Sequence, residues 1–234
     1  MQPGSKDVQS FYEEPIGQVV RRTIFRRVRQ AWPDVDGLRV LGYGYAIPYL
    51  RPFMGEAERI AAYVPAQYDL ETADLPFVAM GEEDAWPFVD SLFDRILVIH
   101  GLECAESVRL LLRQIWRVLA PEGRIICVVP NRASLWSQIE VSPFATGRPF
   151  SRTQIDRLLK ESMFAPEGWD SALYFPPLPS RRLVRSGTAW ERIGKRCWST
   201  LAGVHIVEAT KSLYALAMPE KVRTRKRLLA AAAR

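Results

Sequence analysis

Histidine and cysteine are scarce in this chain of 234 residues, which contains two histidines and three cysteines. Two histidines, His100 and His205, are too few for a histidine-rich metal site. The cysteines (Cys104, Cys127 and Cys197) are odd in number and widely spaced, and none forms a Cys-x-x-Cys pair. We therefore expect a reducing compartment, and neither a disulfide framework nor a bound metal ion.

Long hydrophobic runs are also missing. No apolar run approaches the roughly 18 residues that a membrane-spanning helix needs, and the N-terminal segment does not have the pattern of a signal peptide. We expect a cytoplasmic protein with no membrane span. Because 48% of the residues are apolar, the chain can bury one sizeable core, and a single α/β domain with additions is the simplest arrangement.

Three common catalytic signatures are absent. A phosphate-binding P-loop needs a lysine followed by a hydroxyl residue, and nothing after Gly42 supplies them. A dinucleotide-binding turn needs a third glycine, but Ile47 stands three positions after Gly44. No Gly-x-Ser-x-Gly sequence is present, which argues against a hydrolase with a nucleophile elbow.

Acidic residues are absent from the last part of the chain. Residues 221–234 contain six basic side chains, and the rest of the sequence carries as many acidic as basic ones, so this segment accounts for the net charge of +6. A basic tail could contact nucleic acid or anionic lipid, or it could simply be a solvated extension. We favour the solvated extension and do not expect a nucleic-acid partner.

Hydrophobic periodicity predicts alternating helices and strands. Apolar residues three or four positions apart predict an amphipathic helix over Pro15–Trp32, ended by Pro33. Further helices are predicted over Ser107–Leu119, Ser151–Glu161 and Thr188–Leu201. Strands are predicted over Leu38–Leu41, Glu58–Val64, Phe77–Met80, Asp94–Ile99, Arg124–Val129, Ala172–Phe175 and His205–Ala209. This alternation favours right-handed crossovers and a mostly parallel sheet. We divide the chain into a helical extension (1–33), an α/β domain (34–218) and a basic tail (219–234).

The segment Arg39–Leu50 has the pattern of a nucleotide-binding turn with part of its usual chemistry missing. A short apolar strand enters a Gly-x-Gly turn, and Gly44 would let the backbone approach a ligand. Gly42 closes the strand where a carboxylate is usual. We expect a side chain at position 44 to fill the space meant for the ligand.

Downstream motifs resemble class I S-adenosylmethionine-dependent methyltransferases of the type 11 kind. The resemblance is carried by Trp86–Asp94, Arg95–Glu103 and Arg117–Arg124, whose order and spacing agree with that family from about residue 38 to 131. With Val40–Ala46, Pro130-Asn131, Gly147–Ser151 and Val207–Lys211 added, the string is similar to a bacterial subgroup whose first motif is atypical.

The resemblance implies a Rossmann-like sheet of seven strands with an antiparallel last strand, helices on both faces and S-adenosylmethionine as cofactor. The cofactor would lie at the carboxyl ends of the first four strands. The positions implied to bind it are Gly42, Tyr43, Gly44 and Ala46 in the turn, Tyr63 and Gln67 after the second strand, Glu82 and Glu83 after the third, and Ile99 after the fourth. Tyr43 and Tyr45 could cover the cofactor or simply pack.

The resemblance also places His100 beneath the sulfonium group, as the candidate general base. A base is needed only if the acceptor must lose a proton. We favour the alternative, in which His100 packs or forms hydrogen bonds after the fourth strand. Glu103 belongs to the same turn, and we expect it to cap the following helix.

Two functional classes remain open. The chain could be a methyltransferase acting on a small molecule or a protein side chain, with a degenerate cofactor site. Alternatively, it could keep the fold without the reaction and act as a binding or regulatory partner of another protein. The missing carboxylates at Gly42 and after the second strand favour the second class, and the intact later motifs favour the first.

Overall fold

Seven strands form one mixed sheet in the order β3-β2-β1-β4-β5-β7-β6. A computed structural model describes residues 5–66, 76–139, 142–177, 190–191, 193–194, 196 and 198–212. The strands are β1 (Arg39–Gly44), β2 (Arg59–Pro65), β3 (Val78–Gly81), β4 (Phe93–Ile99), β5 (Leu119–Pro130), β6 (Phe164–Ala172) and β7 (Val204–Lys211). The helices are α1 (Ser5–Glu13), α2 (Pro15–Ala31), α3 (Ile47–Leu50), α4 (Val108–Val118) and α5 (Arg152–Glu161).

The direction of the strands agrees with the expected topology. Strand β1 pairs in parallel with β2 and β4, and the neighbouring pairs β2–β3 and β4–β5 are also parallel. Strand β7 lies between β5 and β6 and is antiparallel to both. The prediction of a mostly parallel seven-stranded sheet with an antiparallel last strand is confirmed.

Each face of the sheet is covered by its own set of helices. The first three helices and the strand residues Val40 and Leu97 form one buried cluster. Helices α4 and α5 pack with the alternate residues Leu41 and Val98 in a second cluster. Because successive side chains of a strand point to opposite faces, these two clusters are the two layers of an α/β sandwich.

The helices of the predicted extension belong to the core. In α2 the side chains of Val20, Ile24 and Val28 are fully buried, as is Val8 of α1. Helix α2 ends next to Pro33, as predicted, with the backbone N–H of Trp32 donating to the carbonyl of Val28 at 2.9 Å. The residue boundaries that we assign to the extension, the domain and the tail stay predictions.

The sixth strand differs from the sequence prediction. We expected a strand over Ala172–Phe175, but β6 begins at Phe164 and ends at Ala172. Its proline, glycine and acidic residues resemble a turn, yet they pair with β7 through an irregularity between Pro166 and Gly168. Leu173 then adopts a φ of 67°, which ends the strand.

Several predicted segments fall partly or wholly outside the described residues. Of the helix expected over 188–201, residues 190–191, 193–194 and 196 are helical, and a 3-10 turn covers Ser199–Leu201. Gln67 and the basic residues 221–234 lie outside the described residues. Among the helices that are described, none combines the length and the apolar content needed to cross a bilayer. Nor do three metal-ligating side chains cluster anywhere in the described part of the chain.

Candidate cofactor site

The carboxyl ends of the first four strands meet at one edge of the sheet. In register, Gly44 of β1 lies beside Ile99 of β4, and Tyr43 lies beside Tyr63 of β2. Glu82 follows directly after β3. The residues that the sequence assigned to the turn, to the second and third strands and to the fourth strand are therefore neighbours. We call this edge, with the turns that follow its strands, the carboxyl edge.

Gly44 is required by the packing of the protein's own backbone. Its φ is 76°, and a Cβ atom at this position would lie 2.3 Å from the carbonyl oxygen of Ile99. That carbonyl also accepts a hydrogen bond of 2.8 Å from the backbone N–H of Tyr45. A side chain at position 44 would therefore collide with the end of β4. We expected a side chain at position 44 to fill the space of a ligand, but the structure shows that it would first collide with the backbone of β4.

The position where a carboxylate is usual has no room for one. A Cβ atom on Gly42 would lie 2.6 Å from Cδ1 of Leu50 and 2.7 Å from Cβ of Ala46. Leu50 is fully buried at the end of the one-turn helix α3. The missing acid and the short helix are thus coupled, because the helix packs into the volume that a side chain at position 42 would occupy.

Three aromatic rings pack together beside the turn. The ring centroids of Tyr43 and Trp86 lie 5.0 Å apart with an interplanar angle of 25°, and Tyr63 lies 5.0 Å from Trp86. The Tyr63 hydroxyl donates to the backbone carbonyl of Glu82 at 2.8 Å. Burial raises the pKa of the Tyr43 hydroxyl well above its usual value, so it stays protonated. These rings form a rigid support at the β1, β2 and β3 ends.

The two glutamates after β3 have different surroundings. The Glu83 carboxylate accepts a hydrogen bond of 3.0 Å from the backbone N–H of Glu106, just before α4. Partial burial raises the pKa of the Glu83 carboxyl group, and the bonds from the Glu106 and Ser107 backbone oppose this. The Glu82 side chain is exposed. Of the two, only Glu82 presents a carboxylate that is not engaged at the start of α4.

Arg117 joins two of the motifs on which the resemblance rests. Its guanidinium donates to the carbonyls of Phe88 at 2.7 Å and Trp86 at 2.9 Å, and to the Asp90 carboxylate at 2.8 Å. Its own carbonyl accepts from the N–H of Ser91 at 2.9 Å. In the sequence, Arg117 is part of a motif that carries the resemblance, but the motif does not indicate a role for its side chain. The structure assigns it the fixing of the loop that precedes β4.

His100 is almost fully buried, and both of its ring nitrogens have partners. Nε2 lies 2.9 Å from the Tyr12 hydroxyl, and Nδ1 lies 3.0 Å from Oε1 of Glu103. An ionised Glu103 can only accept, so Nδ1 would then carry the proton and Nε2 would accept from Tyr12. Glu103 does not cap α4 as we expected, because the side chain of Ser107 does so.

Tyr12 was missed by the sequence analysis. It lies on α1, is 3% exposed, and stacks on Tyr45 with centroids 4.8 Å apart and an interplanar angle of 13°. Its neighbour Phe11 packs edge-on against Phe144. The aromatic pair Phe11-Tyr12, directly before an amphipathic helix, was the available signal. Through these contacts α1 covers the ends of β1 and β4.

Unpartnered polar atoms test whether this edge fits S-adenosylmethionine. The Tyr43 hydroxyl, Nε1 of Trp86 and Oε2 of Glu103 are buried and have no hydrogen-bond partner among the described residues. Each such atom costs about 1–3 kcal/mol, and a bound group is one explanation for it. A cationic ligand with hydroxyl and amino groups would suit Glu103 and the exposed Glu82. The residues therefore fit this cofactor in charge, although no carboxylate is present at Gly42 or at Pro65 and Ala66.

The strand order, the antiparallel β7 and a glycine turn at the carboxyl edge together define the methyltransferase fold. The comparisons agree. Residues 42–127 match the model of the methyltransferase domain family. This segment runs from within β1 to within β5 and contains the carboxyl ends of the first four strands.

Solved structures share the fold at low sequence identity. An S-adenosylmethionine-dependent methyltransferase of Thermotoga maritima, a possible histamine N-methyltransferase, is 16% identical with a TM-score of 0.63, covering 87% of this chain and 94% of that chain. A second such methyltransferase, from Archaeoglobus fulgidus, is 16% identical with a TM-score of 0.61, covering 82% and 94%. The [4+2]-cyclase SpnF is 20% identical with a TM-score of 0.59, covering 81% and 80%. No curated protein is significantly similar in sequence.

Proposed function

We propose that this chain is an S-adenosylmethionine-dependent methyltransferase with a degenerate cofactor site. The observation that carries the proposal is the match of residues 42–127 to the methyltransferase domain family, because this segment supplies the candidate site residues at the carboxyl edge. The structural neighbours support the fold alone. The acceptor is a small molecule or a protein side chain, and the predicted compartment is the cytoplasm.

Each part of the edge has a task in this proposal. Bound S-adenosylmethionine supplies a methyl group already activated by the positive sulfonium. The residues of the chain would bind the cofactor and orient its methyl group. Glu82 would accept hydrogen bonds from the adenine end of the cofactor, and the packed rings of Tyr43 and Trp86 would support that end. Gly44 holds the turn against Ile99. The unpartnered Oε2 of Glu103 favours a positive charge nearby.

His100 is the residue that would hold an acceptor's proton. Its Nε2 is covered by the Tyr12 hydroxyl, so an acceptor must displace Tyr12 or transfer its proton through that hydroxyl. Glu103 at Nδ1 fixes the orientation of the ring and would stabilise the charged imidazolium. Because the pair is buried, water is kept away from the Nε2 atom.

The packing of α1 over His100 favours a second function. With Tyr12, Tyr45 and Phe144 packed around His100, the chain could serve as a binding or regulatory partner that no longer catalyses methyl transfer. Hydrogen bonds to charged groups contribute about 1.5–3 kcal/mol each. The absence of two carboxylates would weaken cofactor affinity by several hundredfold or more, unless other groups compensate.

Calorimetry with S-adenosylmethionine and S-adenosylhomocysteine separates the two functions. We expect a dissociation constant in the micromolar range or weaker. Glu82→Gln should reduce the affinity about tenfold or more. Asp84→Asn makes the same change of charge at an exposed position two residues away and should leave it unchanged. If neither compound gives heat or a thermal shift at millimolar concentration, the methyltransferase proposal fails and the non-catalytic function replaces it.

A further inference from the structure

A cavity lies beside the start of α5, and none of its lining residues belongs to the candidate cofactor site. Its volume is about 520 Å³, which is within the usual range for small-molecule sites. Strands β6 and β7 contribute Trp169, Ser171 and His205, and the start of α5 contributes Arg152. The loop after β5 adds Arg132 to the rim.

The cavity is built on firmly held backbone. Asn131 donates from its side-chain amide to the carbonyls of Thr200 at 2.9 Å and Ala202 at 2.8 Å, which fixes the loop that carries Arg132. The N–H of Arg132 also donates to the carbonyl of Phe150 at 3.1 Å, and directly after Phe150 the residues Ser151 and Gln154 form a reciprocal capping box at the start of α5. The two arginines are thus mounted on segments whose backbone is held in place.

His205 is the buried polar group of this cavity. It is 8% exposed, and neither ring nitrogen forms a hydrogen bond with any residue that the structure describes. Burial, together with the positive charge of Arg152, lowers its pKa to about 4, so the ring is neutral near pH 7. With no partner among the described residues, this neutral imidazole offers one donor and one acceptor to a ligand in the cavity.

The charges facing the cavity are mainly positive. The Arg152 guanidinium lies 4.7 Å from the centre of the Trp169 ring, and this cation–π contact positions it. Asp170 also borders the cavity, and its carboxylate lies 3.5 Å from Arg27, which also pairs with Glu191. Arginine is the side chain best suited to carboxylate and phosphate groups, since its donors match their oxygens in pairs.

We propose that this cavity binds a small organic anion, with Arg152 and Arg132 contacting its carboxylate or phosphate group and His205 donating or accepting one hydrogen bond. The rings of Trp169 and Tyr174 offer an apolar wall for the rest of the molecule. This site is separate from the proposed cofactor site and does not depend on methyl transfer.

Proton NMR tests the proposal directly, since the chain has only two histidines and the His205 signal can be assigned with His205→Gln. The intact protein is titrated in cationic buffer at constant ionic strength, separately with benzoate and with inorganic phosphate. We expect a saturable shift of the His205 signal. Saturation with benzoate alone identifies a carboxylate ligand, and saturation with phosphate alone identifies a phosphate ligand. If neither compound shifts the His205 signal, or if the shift never saturates, the proposal is overturned.

Matched variants locate the binding. Arg152→Ala should weaken it about tenfold or more, because a charge-assisted hydrogen bond is lost. Arg157→Ala removes the same charge from the same helix, where the arginine is exposed and pairs with Glu161, and should change the affinity less than about twofold. Equal losses in the two variants would show unspecific attraction and overturn the proposal. S-adenosylhomocysteine affinity should be the same in Arg152→Ala and wild type, so the two proposals can fail independently.

Discussion

The Tyr12 hydroxyl lies 2.9 Å from Nε2 of His100, although 88 positions separate the two residues in the chain. This contact fastens α1 over the carboxyl end of β4. It also occupies the nitrogen that a general base would use. The position of α1 therefore controls access to His100 at the carboxyl edge, in addition to the glycine turn.

Tyr12→Phe tests the strength of this contact. The change keeps the stacked ring but removes the hydrogen bond to Nε2 of a buried histidine, so we expect the free energy of unfolding to fall by about 1–3 kcal/mol. Tyr45→Phe is the control, since Tyr45 belongs to the same stack and forms no hydrogen bond through its hydroxyl with the described residues. Urea denaturation of both variants measures the difference. Equal stabilities would mean that the Tyr12–His100 bond contributes nothing to folding.

Gly44→Ala should destabilise the fold itself. The Cβ atom would lie 2.3 Å from the Ile99 carbonyl oxygen, and the φ of 76° is unfavourable for any side chain. We expect a loss of more than about 3 kcal/mol in unfolding free energy. Gly37→Ala measures the cost of the positive φ alone, because Gly37 has a φ of 66° and nothing lies within 4 Å of the added Cβ atom. That variant should lose only about 1–2 kcal/mol. Similar thermal midpoints for the two would argue against the collision with Ile99.

His205 should make stability depend on pH. Its folded pKa of about 4 lies below the unfolded value of 6.5, so the unfolded chain binds the proton first as the pH falls. Stability from this group is complete above pH 6.5 and is lost between pH 6.5 and 4, by on the order of 3 kcal/mol. The difference between wild type and His205→Gln, followed by urea denaturation in cationic buffers, isolates this contribution from the carboxyl groups. A difference that stays constant over the window would contradict the assignment.

Arg117→Ala should loosen the loop before β4. Two backbone carbonyls, of Trp86 and Phe88, lose their charged donor, and we expect a loss of about 1–3 kcal/mol in stability. Backbone hydrogen exchange should become faster over residues 86–92, where Ser91 also bonds to the backbone of Arg117. Arg113→Ala, an exposed position one turn earlier on α4, should leave exchange there unchanged. Unchanged exchange in Arg117→Ala itself would remove the proposed role.

Regular elements with a strong hydrophobic pattern were predictable from the sequence. The apolar run of β4 and the spacing in α2, α4 and α5 gave these elements to within one residue at each end, whereas β5 begins at Leu119, five residues before the predicted start at Arg124. Their signals are local, because burial on one or both faces is written into the order of the side chains. Strand β6 was misplaced because its pairing with β7, and not its own composition, makes the segment around Pro166 and Gly168 extended.

The site could be predicted only as a set of neighbouring positions. Sequence motifs brought Gly44, Tyr63, Glu82 and Ile99 to one edge, since the carboxyl ends of parallel strands meet there. They could not reveal that Leu50 fills the space beside Gly42 or that Glu83 is engaged by the backbone before α4. Those contacts depend on distances across the fold.

The sequence alone determined the class of fold, because the strand and helix periods and the motif order are properties of short segments. The tertiary structure decided which side chains contact one another at the carboxyl edge and at the cavity beside α5. Tyr12 reaches His100 only because α1 and α2 pack on the sheet, and His205 meets Arg152 only because β7 lies between β5 and β6. Contacts of this kind join residues far apart in the chain, and long-range packing, which no local pattern encodes, sets them.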